Sequence, residues 1–279
     1  GLGALNHTQP ERIKVDLGLV DTRVVVTGGA SNIGRAIVHE FASEGARIVL
    51  NDIDEPQAEK VRGEALERGA SAVEVVVADL TLPGSAESAV GRAVESWGGI
   101  DVLVNNAGWT APGFIATDTD RTKWQRIIEI NLFSALAATQ AAIGPMKDAG
   151  VGAIVFIASD AAFGQIRQSV YGASKAAMVA LARTTAREHG RHGIRSNVVC
   201  PGLVVPEGPD AIGQSSLWSV GQDNIFNEKQ IEFMLKDTPL RRLTTAEDVA
   251  RAVLWFSSPS AARQVTGQII SVSGGYTMP

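Results

Sequence analysis

The chain has 279 residues, of which 45% are hydrophobic and 20% charged, which is too apolar for a disordered protein and enough to bury a core. Its 25 Lys and Arg against 30 Asp and Glu leave a net charge of −5, which argues against a nucleic-acid partner, since that would need a basic face. The single cysteine, Cys200, can form no internal disulfide, and no run of about 18 apolar residues occurs, so the expectation is a cytoplasmic protein without a membrane span.

Residues 1–16 are polar and are expected to be a flexible extension of a single domain over 17–279. From there short β-branched runs alternate with helix-like segments. Strands are predicted at 23–27, 47–51, 72–78, 102–105, 153–158, 195–200 and 268–272. Most are continuous apolar runs, as strands covered on both faces require. Helices are predicted at 33–44, 55–68, 85–97, 121–149, 171–190 and 246–257, the last opened by a capping box of Thr245 and Asp248. The alternation predicts a doubly wound α/β Rossmann fold with a parallel sheet of about seven strands. One segment, 203–237, breaks the rhythm. It is rich in Pro and Gly and carries Trp218, Ile225, Phe226, Phe233 and Met234, which suits an ordered or semi-ordered flap over a binding site.

The first strand runs into Thr27-Gly28-Gly29-Ala30-Ser31-Asn32-Ile33-Gly34, and a helix follows at once. Glycine there permits a tight turn and close approach to a phosphate, and the helix N-terminus offers free N–H groups. Asp52 ends the second strand, 24 positions after Gly28, where a carboxylate meets the adenosine ribose in dinucleotide folds. Tyr171 and Lys175 stand at i and i+4 on one helix face. A phenol with a pKa of about 10 becomes a useful base when a neighbouring cation favours its anion.

These runs resemble the short-chain dehydrogenase/reductase family, whose cofactor turn reads Thr-Gly-x-x-x-Gly-x-Gly; here Asn32 replaces the middle glycine, and Asn tolerates the left-handed conformation. Asn105-Asn106-Ala107-Gly108 and Tyr171-Gly172-Ala173-Ser174-Lys175 match two further family motifs, and Pro201-Gly202 and Thr266-Gly267 match later ones. The resemblance covers about residues 18–276, with departures at Pro206, where a Thr is common, and at Ser273, where Asp is usual.

The resemblance implies NAD(H)-dependent interconversion of a secondary alcohol and a ketone, with Tyr171 as acid/base, Lys175 lowering its pKa, Ser159 holding the substrate oxygen and Asn131 holding a relay water. Ser159 precedes Tyr171 by 12 residues, one fewer than is common in the family. Cofactor contacts are implied for Gly28, Ser31, Asn32, Ile33, Gly34, Asp52, Ile53, Asp79, Leu80, Asn106, Ala107, Gly108, Tyr171, Lys175, Pro201, Gly202 and Val204. Ser31 and Ile53 stand where family members place a charge for the 2′-phosphate, and both are uncharged, so NAD(H) is expected over NADP(H); Arg35 is the charge most able to upset this. Substrate contacts are expected from Trp109, Asp160, Phe163, Gln165 and Trp218, with Arg167 a candidate for an acidic substrate. The family implies a homotetramer.

Ordinary readings stand beside these: a structural turn at 28–34, a cap at Asp52 or Ser159, and a solvated helix face for Tyr171 and Lys175. A 3-oxoacyl-thioester reductase of the same family is an alternative activity. A cofactor-binding sensor or partner subunit is the alternative of another class. His189 and His192 are read as helix-end residues, and no metal centre is expected.

Overall fold

The computed structural model describes residues 16–219 and 228–279. The expected extension therefore lies outside the described residues except for Asp16, as do Ile225 and Phe226. The strands are β1 (Arg23–Thr27), β2 (Arg47–Asp52), β3 (Ala72–Val77), β4 (Val102–Asn105), β5 (Gly152–Ile157), β6 (Ile194–Pro201) and β7 (Ile269–Val272). They form one parallel sheet in the order β3-β2-β1-β4-β5-β6-β7. The order reverses between β1 and β4, and ligands of open parallel sheets bind outside the strand ends at such a point.

Alternate side chains of each strand serve opposite faces. Val24, Val26, Ile48, Leu50 and Val104 enter one apolar layer, while Val25, Val49, Leu103, Ile154 and Phe156 enter the other. This is why most of the strand sequences are largely apolar runs. Helices α1 (Asn32–Ser43) and α8 (Ala246–Ser257) cover the first face, and α3 (Ser85–Trp97) and α5 (Ser134–Ala149) contribute to the second. The capping box at Thr245 and Asp248 is formed in both directions. Between β2 and β3 lies α2 (Glu55–Glu67), capped by Asp54, whose carboxylate accepts from Gln57 N at 3.2 Å.

Two elements differ from expectation. The helix expected over 121–149 is α4 (Arg121–Ile128), a π-helical turn over Glu129–Phe133, and α5. Its apolar content suffices by composition for a membrane span, yet Ala135, Ala138, Ala142 and Met146 are packed into the second layer. Within 203–237 the chain forms a short turn at Pro209–Ala211 and a helix, α7 (Glu228–Asp237). The remaining long helix, α6 (Ser169–His189), carries Tyr171 and Lys175.

Candidate active site

The glycine turn takes the expected shape. Gly28 has φ 61° and Asn32 has φ 45°, so Asn32 occupies the left-handed region that its residue type tolerates. Its Nδ2 also donates to Val204 O at 3.4 Å, tying the turn to the loop after β6. Asn106 locks the turn from β4: its Nδ2 donates to Thr27 O at 2.9 Å and to Gly28 O at 2.8 Å. The Thr27 hydroxyl accepts in return from the backbone N–H groups of Asn106 and Ala107. Ser31 Oγ is buried there without a partner, and the first turn of α1 carries no acidic residue. An orphan hydroxyl at a free helix N-terminus fits the pyrophosphate of a dinucleotide.

Asp52 is fixed by three N–H groups: Oδ2 accepts from Ala30 N at 2.9 Å, and Oδ1 from Ile53 N at 2.8 Å and Asp54 N at 3.1 Å. Burial raises its pKa above the ordinary carboxylate value, against the lowering effect of those hydrogen bonds. Arg35 is turned to Glu64. Its guanidinium is held in a fork by Glu64, at 2.9 and 3.0 Å, and it lines a different recess from Asp52. His39 shares Glu64 at 3.0 Å, and burial, then the charges of Arg35 and Arg68, push it down to about 4.

At the other end of the cavity Ser159, Tyr171 and Lys175 converge. Ser159 sits in an extended conformation after β5; its Oγ accepts from Ala161 N at 3.1 Å, and its hydroxyl hydrogen-bonds to Tyr171. Protein packed round the Tyr171 hydroxyl pushes the phenol up to about 12, and the Ser159 bond works against that rise. The Lys175 ammonium lies 5.7 Å from the Tyr171 ring and donates to Ile157 O at 2.8 Å. Burial pushes it down to about 8. Burial is the largest influence on both groups.

Asn131 is placed behind the wall, fully buried in the π-helical turn. Its Oδ1 accepts from Trp109 N at 2.7 Å, and its Nδ2 donates to Trp109 O and Ser174 Oγ, each at 3.0 Å. A π turn widens the helix and re-aims a side chain, which here lets a mid-helix Asn clamp the strand end at Trp109.

One cavity of about 620 Å³ joins the two ends. Every residue expected to touch the cofactor lines it, as do Trp109, Asp160, Gln165 and Trp218. Phe163 does not: it is 43% exposed and points away, because the Asp160–Phe163 turn packs its other side on Gly172. Arg167 is also outside the cavity, with its guanidinium 5.7 Å from the Phe114 ring. Residues not foreseen line it instead, notably Arg126 and Tyr276. Segment 203–219 reaches α2, where Ser215 N donates to Asp54 Oδ2 at 3.3 Å and Lys60 Nζ meets Asp210 Oδ1 at 3.3 Å. The spacing of these residues gave no signal of contact, since they lie 150 and 161 positions apart.

Asp160 carries a charge where it is ill-supported. Its Oδ1 accepts from Ser271 Oγ at 3.0 Å, Ser271 meets Ser273 Oγ at 2.8 Å, and Ser273 accepts from Thr277 N, but Oδ2 is buried without a partner. Burial pushes the carboxyl up to about 6. The folded protein then holds this proton more tightly than the unfolded chain, so stability falls as pH rises from about 4 to about 6 and the penalty is complete above that. Asp160→Asn is expected to melt several degrees above the parent at pH 8, on the order of 2 kcal/mol, with the advantage gone near pH 4. Melting curves at the two pH values check this; an equal gain at both would sink the linkage.

A parallel sheet with a glycine turn at its switch point, and Ser, Tyr and Lys meeting at the far end of the same cavity, define the class of dinucleotide-dependent oxidoreductases acting on hydroxyl groups. The chain belongs to the short-chain dehydrogenase/reductase family. The family model described as Enoyl-(Acyl carrier protein) reductase matches residues 28–277. A D-beta-hydroxybutyrate dehydrogenase of Rhizobium meliloti is 35% identical over 262 residues, covering 91% of this chain and 97% of that protein. A hydroxyphenylmethyl-succinyl-CoA dehydrogenase subunit of Thauera aromatica is 33% identical over 264 residues, covering 94% and 99%. Among solved structures, a 7 alpha-hydroxysteroid dehydrogenase complexed with NADH and 7-oxo glycochenodeoxycholic acid superposes with a TM-score of 0.83 at 31% identity, covering 93% of this chain and 96% of that one.

Proposed function

We propose that the protein interconverts a secondary alcohol and a ketone, using NAD(H) in preference to NADP(H). The observation that carries this reading is the layout of one cavity, with Asp52 at one end and Ser159, Tyr171 and Lys175 at the other. The turn at 28–34, Asp52, Asp79 and the Asn106–Gly108 segment would hold the adenosine and pyrophosphate, and Lys175, Pro201, Gly202 and Val204 the nicotinamide half. When bound, the dinucleotide supplies the hydride donor or acceptor and, oxidised, a positive charge. Ser159 holds the substrate oxygen. Tyr171 takes the hydroxyl proton during oxidation and returns it during reduction. Lys175 stabilises the phenolate, and Asn131 positions the segment carrying Trp109 and connects Lys175 to solvent through water.

The preference rests on charge. A 2′-phosphate at the ribose edge would face the Asp52 carboxylate, while Arg35 is held by Glu64. Titration with NADH and NADPH, followed by tryptophan fluorescence, should give NADH tighter by tenfold or more, about 1.4 kcal/mol. Asp52→Ala should narrow that ratio. NADPH binding as tightly as NADH would overturn the assignment of Asp52. A homotetramer is supported by Phe133 and Leu136, which are exposed on the α4–α5 helix, and a cytoplasmic location by the buried free thiol of Cys200.

A further inference from the structure

Two cations line the cavity among the described residues, Lys175 and Arg126. Lys175 is buried and committed to Ile157 O beside Tyr171. Arg126 is not committed. It stands on α4 one turn before Ile130, which lines the same wall, and no described carboxylate pairs with it. Its guanidinium carbon lies 4.7 Å from the centroid of the Trp109 ring. Stacking on an aromatic face orients a guanidinium while leaving its edge N–H donors unused.

The backbone that carries that ring is fixed relative to the reacting groups. Both the N–H and the C=O of Trp109 are bound by Asn131, and Asn131 also binds Ser174, the neighbour of Lys175. Arg126 stacks on a side chain whose backbone is tied to the catalytic end. Of the carboxylates on the cavity wall, Asp52, Asp54 and Asp79 are at the adenosine end, and Asp160, beside Ser159, has one oxygen engaged by Ser271. Apolar Leu203 and Trp218 complete the substrate half.

We propose that the substrate carries a carboxylate or a similar oxyanion, held by Arg126 against the face of Trp109, while its carbinol or carbonyl carbon lies at Tyr171 and Ser159. This rests on the oxidoreductase reading above and adds the class of substrate. A guanidinium fork matches two oxygens of one anionic group, and such charge-assisted bonds are the strong ones. Arg167, exposed to the same sequence argument, has no access to the cavity.

The test uses the full chain with NADH and charged and neutral ketone pairs: acetoacetate and its methyl ester, 4-oxopentanoate and its methyl ester, and 4-oxocyclohexanecarboxylate and its ethyl ester. The acids should be reduced with a kcat/KM about ten- to a hundredfold above the esters. Arg126→Gln should remove that advantage through KM, leave the esters unchanged, and be partly rescued by Arg126→Lys. Esters equal to acids, or a variant that slows both alike, would overturn the proposal. If no ketone is reduced, the acids are titrated into the protein–NADH complex and NADH emission is followed; binding lost in Arg126→Gln supports the proposal, and no response to any acid overturns it. Failure of NADH itself to bind would instead bring down the dinucleotide reading.

Discussion

Tyr171→Phe is expected to reduce turnover by about 10²- to 10⁴-fold, the range that a positioned acid/base supplies, while changing NADH affinity far less. The substitution removes one oxygen. That oxygen has one described side-chain partner, Ser159, so the fold loses little. The chemistry loses its proton carrier. Around Tyr171 burial holds the phenol up at about 12 and drives Lys175 down to about 8, so burial works toward the neutral form of each. The positive charge that would favour the phenolate arrives with the oxidised dinucleotide, and the phenolate in turn favours the Lys175 ammonium. Alcohol oxidation, which needs the anionic phenolate, should therefore rise with pH, and ketone reduction, which needs the phenol, should fall. Steady-state rates in both directions across pH, with NADH affinity from tryptophan fluorescence, check the prediction. Activity within tenfold of the parent would move the proton to another group, and unchanged pH profiles in the variant would do the same.

The parts of this molecule that were legible in its sequence are those fixed by local chemistry. Val24, Val25 and Val26 announce a strand buried on both faces, because neither face can tolerate a polar side chain. Asn32 is compatible with a left-handed turn, and φ 45° is what it adopts. Thr245 and Asp248 cap a helix through contacts three residues apart. Ser159, chosen as the hydroxyl at the end of β5, lies there and lines the same cavity as Tyr171 despite the shortened spacing.

What could not be read depends on long-range packing. The π turn around Asn131 exists because its amide is satisfied by Trp109, 22 positions earlier, and by Ser174, 43 positions later. Arg126 and Arg167 are both arginines near polar segments, and only the tertiary fold decides that the first faces the cavity. Phe163 follows Ser159 closely in sequence, but a single 3₁₀ turn rotates it outward. Segment 203–237 reads as a loop because α7 is short and weakly apolar, and its anchorage on Asp54 and Lys60 is a meeting of residues from opposite halves of the chain.

Gly34→Ala is the second large effect, and it acts on the fold and the cofactor together. The backbone of Gly34 is ordinary helix, so its conformation does not require glycine; the space does. A Cβ built there falls 1.9 Å from Gly28 O, 2.9 Å from Gly28 C and 2.7 Å from Asn106 Nδ2. Two of those atoms are backbone and cannot swing aside. Helix α1 must then move off the turn, and Asn106 must release Thr27 O and Gly28 O, which it holds at 2.9 and 2.8 Å. Overpacking costs about 1–3 kcal/mol, and each buried hydrogen bond lost adds about 1 kcal/mol. The N–H groups at the start of α1 move with the helix, so NADH affinity should fall by at least tenfold, about 1.4 kcal/mol, beyond any loss of folded protein. Gly63→Ala is the matched control. It lies within α2 with nothing inside 4 Å of the added Cβ, so it should be neutral or gain about 0.5–1 kcal/mol from helix propensity. Melting temperature and NADH titration of the two variants separate the claims. A Gly34→Ala protein that melts lower but binds NADH normally would show that α1 can be displaced without disturbing the phosphate site, and the turn would lose its assigned role; one that matches Gly63→Ala in both would mean that α1 and the turn are not in the close contact described.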